Sequence, residues 1–156
     1  MRLNDGSESL DSQSLDNEIA EKFYEKSLWG GRVQAIVPMP QVMVAKPLTL
    51  FSLRHSAVLL QADALLIIKP VYFSNWKYKW FEENVAKGTT SVEILLMDTR
   101  TNVVPFTSVI TESTEIIKSP NDYDQYELMN RAKKLSESKA LLQIPKAIGQ
   151  FINSSM

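Results

Sequence analysis

The sequence of 156 residues contains no cysteine, and this absence removes several classes of protein at once. Disulfides, cysteine-ligated zinc and thiolate catalysis all require a cysteine side chain, so none of them is available to this chain. The sequence also has a single histidine, His55, which excludes a metal site built on a pair of histidines. We therefore predict that the protein binds no metal and no cofactor.

Long hydrophobic runs and a strong excess of one charge are also missing. No segment approaches the roughly 18 apolar residues that cross a membrane. Met1 is followed by polar residues rather than by the basic and apolar regions of a signal peptide. The formal net charge is −1, whereas nucleic-acid-binding domains usually carry a basic excess. We expect no dominant nucleic-acid partner.

Polar residues dominate the beginning of the chain, and apolar periodicity starts only afterwards. Residues 1–15 are rich in Ser, Asp, Asn and Gln, which is typical of a flexible leader or tether. We assign residues 16–156 to a single globular domain, because a chain of this length is large enough for one hydrophobic core.

Apolar residues at helical spacing predict three helices. The first begins near Asp16 and ends before Gly30. The second has Thr49 as its N-cap and carries an apolar stripe that is expected to face the core. In the last helix Ser119 is the predicted N-cap, and Pro145 is expected to break or kink the helix further along.

Alternating and continuous apolar runs predict about four mainly antiparallel strands, at residues 32–37, 64–68, 91–97 and 103–111. Turn-forming residues join the last two strands and favour a hairpin in which Asn102 takes a left-handed backbone conformation. The fold class is therefore α+β (or α/β), a two-layer domain with three helices packed mostly on one face of the sheet.

His55 is the only imidazole that a hydrolytic site could use. No Gly-x-Ser-x-Gly elbow accompanies it. The closest pairs of acids, Glu82 with Glu83 and Glu112 with Glu115, are typical of solvated surfaces. We expect a structural or surface role for His55 and no enzymatic activity, and we keep a hydrolase with an unrecognised site as an alternative.

The segment from Trp76 to Trp80 alternates aromatic and basic residues. In a strand, Trp76, Tyr78 and Trp80 share one face, and the two lysines between them lie on the other. An exposed row of this kind suits stacking on a glycan or on single-stranded nucleic acid, whereas a buried row fills the core, which is the favoured interpretation. With Arg100 at the hairpin tip, these aromatics are the predicted partner contacts, because Trp, Tyr and Arg often anchor interfaces.

Two segments resemble a pattern found in uncharacterised bacterial envelope lipoproteins. Residues 53–67 are similar to LRxxA…QADxLL, and residues 93–107 are similar to ExLLxDTRTGxVPFT, with Asn102 in place of the turn glycine. More distantly, the order of elements looks like the α/β domain of the curli-channel and penicillin-binding-protein-activator lipoproteins. The resemblance covers less than half of the chain, and its motif residues are structural rather than catalytic.

The resemblance implies a non-enzymatic domain on the periplasmic face of the bacterial envelope, tethered as a lipoprotein and binding another envelope protein. The cysteine that carries the lipid of a lipoprotein is absent, so the tether would lie outside this sequence, and a cytoplasmic location is the alternative. Membrane association is expected only through that tether. The other function that stays open is glycan or single-stranded nucleic-acid binding by the strand at residues 76–80.

Overall fold

The protein is described by a computed structural model that covers residues 20–25, 29–44, 46–77, 84–121 and 124–155. The predicted leader at residues 1–15 lies outside the described residues. The elements in chain order are α1 at residues 20–23, a 3₁₀ turn Gln41–Met43, α2 Leu50–Leu59, β1 Ala64–Lys77, β2 Val85–Asp98, β3 Phe106–Ile117 and α3 Gln125–Ser154. The predicted α+β class is confirmed.

The sheet has three antiparallel strands in the order β1-β2-β3. The predicted count of four is not confirmed, because residues 32–37 have no regular structure. Pro38 and Pro40 follow this segment directly, and proline cannot donate to a strand ladder. Val37 is exposed, so the alternation of apolar residues there does not reflect a buried strand face.

Helix α2 begins as predicted and ends in a way that the sequence did not predict. Thr49 and Ser52 form a reciprocal capping box at its N-terminus. At the other end the amide of Ala62 donates to the carbonyl oxygen of Ala57 over 3.0 Å, and Gln61 has a φ of 56°. This is a Schellman motif with a glutamine in the left-handed position that glycine usually occupies.

Helix α3 begins five residues after the predicted Ser119–Pro120 start. Its amide at Tyr126 donates to Oδ1 of Asp124 over 2.8 Å, so Asp124 caps the helix and the Ser119 prediction is wrong. The helix starts one turn before Leu128, the first fully buried residue on its apolar side. Helical structure continues through Pro145 to Ser154, so the predicted break does not occur.

The described chain forms two compact units. Unit 1 draws on residues up to Ile68, on Ile94–Ser108 and on the chain from Pro145 onward. Unit 2 comprises Lys69–Glu93 and Val109–Ile144. Each strand is divided between the two units, so both units contain part of the sheet.

Unit 1 has helices on both faces of its part of the sheet. Leu53 and Ala57 of α2 pack with Leu65 and Met97 in one buried cluster. On the opposite face the ring of Phe106 lies 5.0 Å from that of Phe151 in α3. The prediction that the helices pack mostly on one face is therefore wrong in unit 1. A continuous apolar run in β2 places apolar side chains on both faces of the sheet there.

Unit 2 is built around a close approach between β2 and α3. Ala86, Leu128 and Ala132 form its buried cluster. A side chain at Gly88 would place its Cβ 2.3 Å from the backbone carbon of Ala132, so only glycine fits at this point. Thr90 Oγ1 lies 2.6 Å from Ser136 Oγ, which satisfies two hydroxyl groups buried at the same contact.

Candidate functional site

The two segments that carry the resemblance meet in unit 1. Arg54 Nε donates to the carbonyl oxygen of Thr99 over 2.8 Å. The hydroxyl of Thr99 donates to the carbonyl oxygen of Ala62 over 2.5 Å, and its amide donates to the carbonyl oxygen of Asp63 over 3.0 Å. Arg100 completes the contact, since its guanidinium lies 3.2 Å from Oδ1 of Asp63.

The side chain of Asp98 accepts hydrogen bonds from two backbone amides of the hairpin tip. Its Oδ1 accepts from the amide of Arg100 over 2.8 Å and from the amide of Thr101 over 3.1 Å. These backbone hydrogen bonds, that from Thr101 first and that from Arg100 second, lower the pKa of Asp98. Asn102 has a φ of 62°, which confirms the predicted left-handed turn residue.

The motif residues therefore have structural roles, because they contact one another. Thr99 is buried and its polar groups are satisfied, and Leu53 and Ala57 lie in the core beneath it. The side chain of Arg100 is mostly exposed at the tip, as are those of Thr101 and Asn102 beside it. That Arg100 contacts a partner stays a prediction.

The predicted aromatic row is only partly described. Trp76 is half-buried and packs against the core cluster of unit 2. Tyr78 and Trp80 lie outside the described residues. The prediction that this row contacts a partner is therefore not tested, and Trp76 has a packing role in any case.

His55 lies exposed on the side of α2 that faces away from the core. Phe51 and Val58, one turn before and one turn after His55 on the same side of the helix, are also exposed. Within the described ranges no group of three or more metal-ligating side chains is found. None of the helices in the described part of the chain combines the length and the apolar character that a membrane span needs.

One exposed feature that the sequence did not predict is a face of the sheet in unit 2, which we call the open sheet face. Hydroxyl pairs cross its centre, with Thr89 Oγ1 2.9 Å from Ser113 Oγ and Ser91 Oγ 2.8 Å from Thr111 Oγ1. These pairs fix the register of β2 against β3. Exposure alternates strictly along β3, but apolar and polar residues do not alternate in its sequence, so the sequence carried no clear signal of this face.

Apolar and charged side chains surround the hydroxyl pairs on the open sheet face. Phe73 on β1 is 73% exposed, and Val109 on β3 is exposed as well. An ion pair between Lys69 and Glu93 lies at one end, and Glu115 with its two lysine partners lies at the other. The result is a two-dimensional array with an aromatic side chain, hydrogen-bonding groups and charges of both signs.

The opposite face of the sheet in unit 2 is closed by α3. Tyr72 donates from its hydroxyl to Oε1 of Glu137 over 3.0 Å, and Lys133 Nζ lies 4.2 Å from the centre of the Tyr72 ring. Glu137 is buried. This polar cluster joins strand to helix, because each of its groups has a partner within the unit.

Comparison with known proteins shows a shared fold at low sequence identity. No family model matches the sequence, and no curated protein matches it significantly. A hypothetical protein of Chlamydia trachomatis aligns over 88% of this chain and 84% of its own, with a TM-score of 0.53 and 13% identity. A candidate lipoprotein of Caulobacter crescentus aligns over 61% of this chain and 71% of its own, with a TM-score of 0.47 and 12% identity. The Chlamydia trachomatis protein therefore shares the fold of this chain.

Proposed function

We propose that this protein is a non-enzymatic domain of the bacterial cell envelope that binds another protein through the open sheet face. The observation that carries the proposal is the exposure of Phe73 on β1, at one side of a face whose other two strands carry paired hydroxyl groups. A large aromatic side chain in water is costly in a monomer and is common where a partner covers it.

The composition of the open sheet face favours a protein partner. Paired hydroxyl groups lie at its centre, Phe73 and Val109 lie on the strands at its two sides, and charges lie at its ends. Protein interfaces likewise combine aromatic and apolar side chains with hydrogen-bonding groups, and carry polar groups at their rim. The location in the envelope is supported by the lipoprotein-like motifs at residues 53–67 and 93–107.

A photo-crosslinking amino acid at position 73 tests this proposal in living cells. We expect a crosslinker at position 73 to give one dominant protein adduct. A crosslinker at position 111, on the same face, should give an adduct of the same mass. A crosslinker at Lys139, which is exposed on α3 of the same unit, is the matched control and is expected to give no such adduct. Equal adducts at all three positions, or none at positions 73 and 111, would refute the proposal.

A glycan is the second candidate ligand of the same face. A sugar ring stacks on an aromatic side chain and exchanges hydrogen bonds with hydroxyl groups, and Phe73 lies beside two such pairs. Binding of envelope polysaccharide that is lost in Phe73→Ser, in the absence of any protein adduct, would favour this function over protein binding.

A further inference from the structure

Helix α2 is apolar on its outer side as well as on its inner side. Leu53 and Ala57 face the core, whereas Phe51 and Val58 point away from it and are 77% and 47% exposed. A helix at the surface of a globular protein normally carries polar residues on its outer side. The outer side of α2 lacks most of them, and His55 is the polar residue between Phe51 and Val58.

The exposed apolar surface continues onto the chain before α2. The hydroxyl of Ser56 donates to the carbonyl oxygen of Met43 over 2.5 Å, which holds the 3₁₀ turn beside the helix. Val42 in that turn and Leu48 after it are both exposed. Seven of the 16 exposed large hydrophobic residues of the described chain lie in this stretch, namely Val37, Val42, Leu48, Leu50, Phe51, Val58 and Leu59. We call this set the α2 surface.

The charge of the same stretch has one sign. Between Glu25 and Asp63 the sequence contains no acidic residue, while Lys26, Arg32, Lys46 and Arg54 all lie there. The acid that ends the stretch, Asp63, is paired with Arg100 at 3.2 Å. The α2 surface is therefore apolar and belongs to a stretch of sequence that carries cations and no acid.

We propose that the α2 surface docks directly on an anionic phospholipid bilayer. Exposed aliphatic and aromatic side chains lower their free energy by entering the boundary between headgroups and acyl chains, and nearby lysine and arginine side chains attract anionic headgroups. A second copy of the chain is a poorer occupant, because two such surfaces would bring cations against cations. The proposal concerns unit 1 alone and is independent of the partner of the open sheet face.

The absence of native cysteine allows a site-specific test. An environment-sensitive fluorophore is attached to the full chain at Phe51→Cys, and the matched control carries it at Val109→Cys, a position that is also apolar and exposed but lies in unit 2. We expect a saturable blue shift of the label at position 51 with phosphatidylglycerol–phosphatidylcholine vesicles. Vesicles of phosphatidylcholine alone, and the label at position 109, should give little or no shift.

Unlabelled variants separate the apolar and the electrostatic contributions in a vesicle sedimentation assay. Phe51→Ser with Val58→Ser should lower the partition coefficient about tenfold or more, because both side chains leave the interface. Lys46→Ser should lower it about fivefold, as expected for one cation near an anionic surface. Val109→Ser should leave it unchanged. All four positions are exposed, so circular dichroism and thermal unfolding should match the wild type.

Any of four results would overturn the proposal. The first is no shift at position 51 with anionic vesicles, and the second is an equal shift at position 109. The third is a shift without vesicles that grows with protein concentration alongside self-association in sedimentation velocity, which would assign the α2 surface to a second copy. A shift that requires an added envelope protein, and not lipid, would assign it to a protein partner instead.

Discussion

Arg54 Nε donates a hydrogen bond to the backbone carbonyl oxygen of Thr99 over 2.8 Å, and this contact joins α2 to the hairpin tip. The second guanidinium contact, from Arg54 to the carbonyl oxygen of Arg100, is longer at 3.4 Å. Thr99 is buried, so its carbonyl oxygen depends on this donor more than an exposed carbonyl would. The arginine of the LRxxA segment therefore has a structural explanation.

Arg54→Ala should lower the free energy of unfolding by about 1–2 kcal/mol, because a charged donor to a largely buried carbonyl is lost. Urea unfolding followed by circular dichroism measures the change. His55→Ala, at the neighbouring exposed position, is the control and should change it by less than about 0.5 kcal/mol. Equal effects of the two variants would contradict the structural role of Arg54.

Gly88→Ala should destabilise the protein by about 3 kcal/mol or more, since its Cβ would lie 2.3 Å from backbone atoms of α3 that cannot move independently. Gly31→Ala is the matched control, because an added Cβ there meets no atom within 4 Å. Thermal unfolding of both variants measures the difference in their stability. A Gly88→Ala protein as stable as Gly31→Ala would show that β2 and α3 are further apart than described.

Gln61→Gly should raise the free energy of unfolding by about 0.5–1 kcal/mol, because the residue at a φ of 56° pays a steric penalty that glycine avoids. Asn102→Gly, at a φ of 62°, should gain less, since asparagine tolerates the left-handed region better than glutamine. Chemical denaturation of the two variants side by side tests the order. A loss of stability in Gln61→Gly would argue against the Schellman motif at the end of α2.

Asp98 should contribute to the acid sensitivity of the protein. Its pKa in the folded state is lowered by the backbone hydrogen bonds from Thr101 and Arg100, relative to about 3.9 in an unfolded chain. Its stabilisation is therefore complete above the unfolded value and is lost as the pH falls through the lowered folded value. Between pH 6 and pH 2.5, Asp98→Asn should lose less stability than the wild type in urea titrations. Identical pH profiles would show that the carboxylate of Asp98 is not held by the turn.

Local signals in the sequence predicted the hairpin tip and the start of α2 well. Asn102 and Thr49 belong to turn and cap patterns that involve only a few neighbouring residues, so tertiary contacts did not overrule them. The alternation of apolar residues predicted a strand at residues 32–37. Two prolines follow this segment and no partner strand lies beside it in the described chain, so the strand does not form. Ser119 failed as a cap for a related reason, because the buried side of α3 begins only at Leu128.

The candidate surfaces depend on which strand faces are left uncovered, and this is a property of the tertiary structure. The sequence of β3 does not alternate apolar with polar residues, and nothing in it shows that Val109 and Phe73 lie on the same uncovered face of the sheet. The sequence around Gly88 likewise does not indicate that this residue lies against the backbone of Ala132. For α2 only the apolar stripe that faces the core was predicted, and Phe51 and Val58 lie outside that stripe.

The most direct test of the envelope function is fractionation of the untruncated gene product from its own cells, with the intact mass measured on the same material. We expect the protein in the envelope fraction, with an N-terminal mass increment that corresponds to a lipid. An unmodified protein in the cytoplasmic fraction would contradict the envelope function. Binding to anionic vesicles would then remain to be judged separately, because that test uses the α2 surface of the purified chain alone.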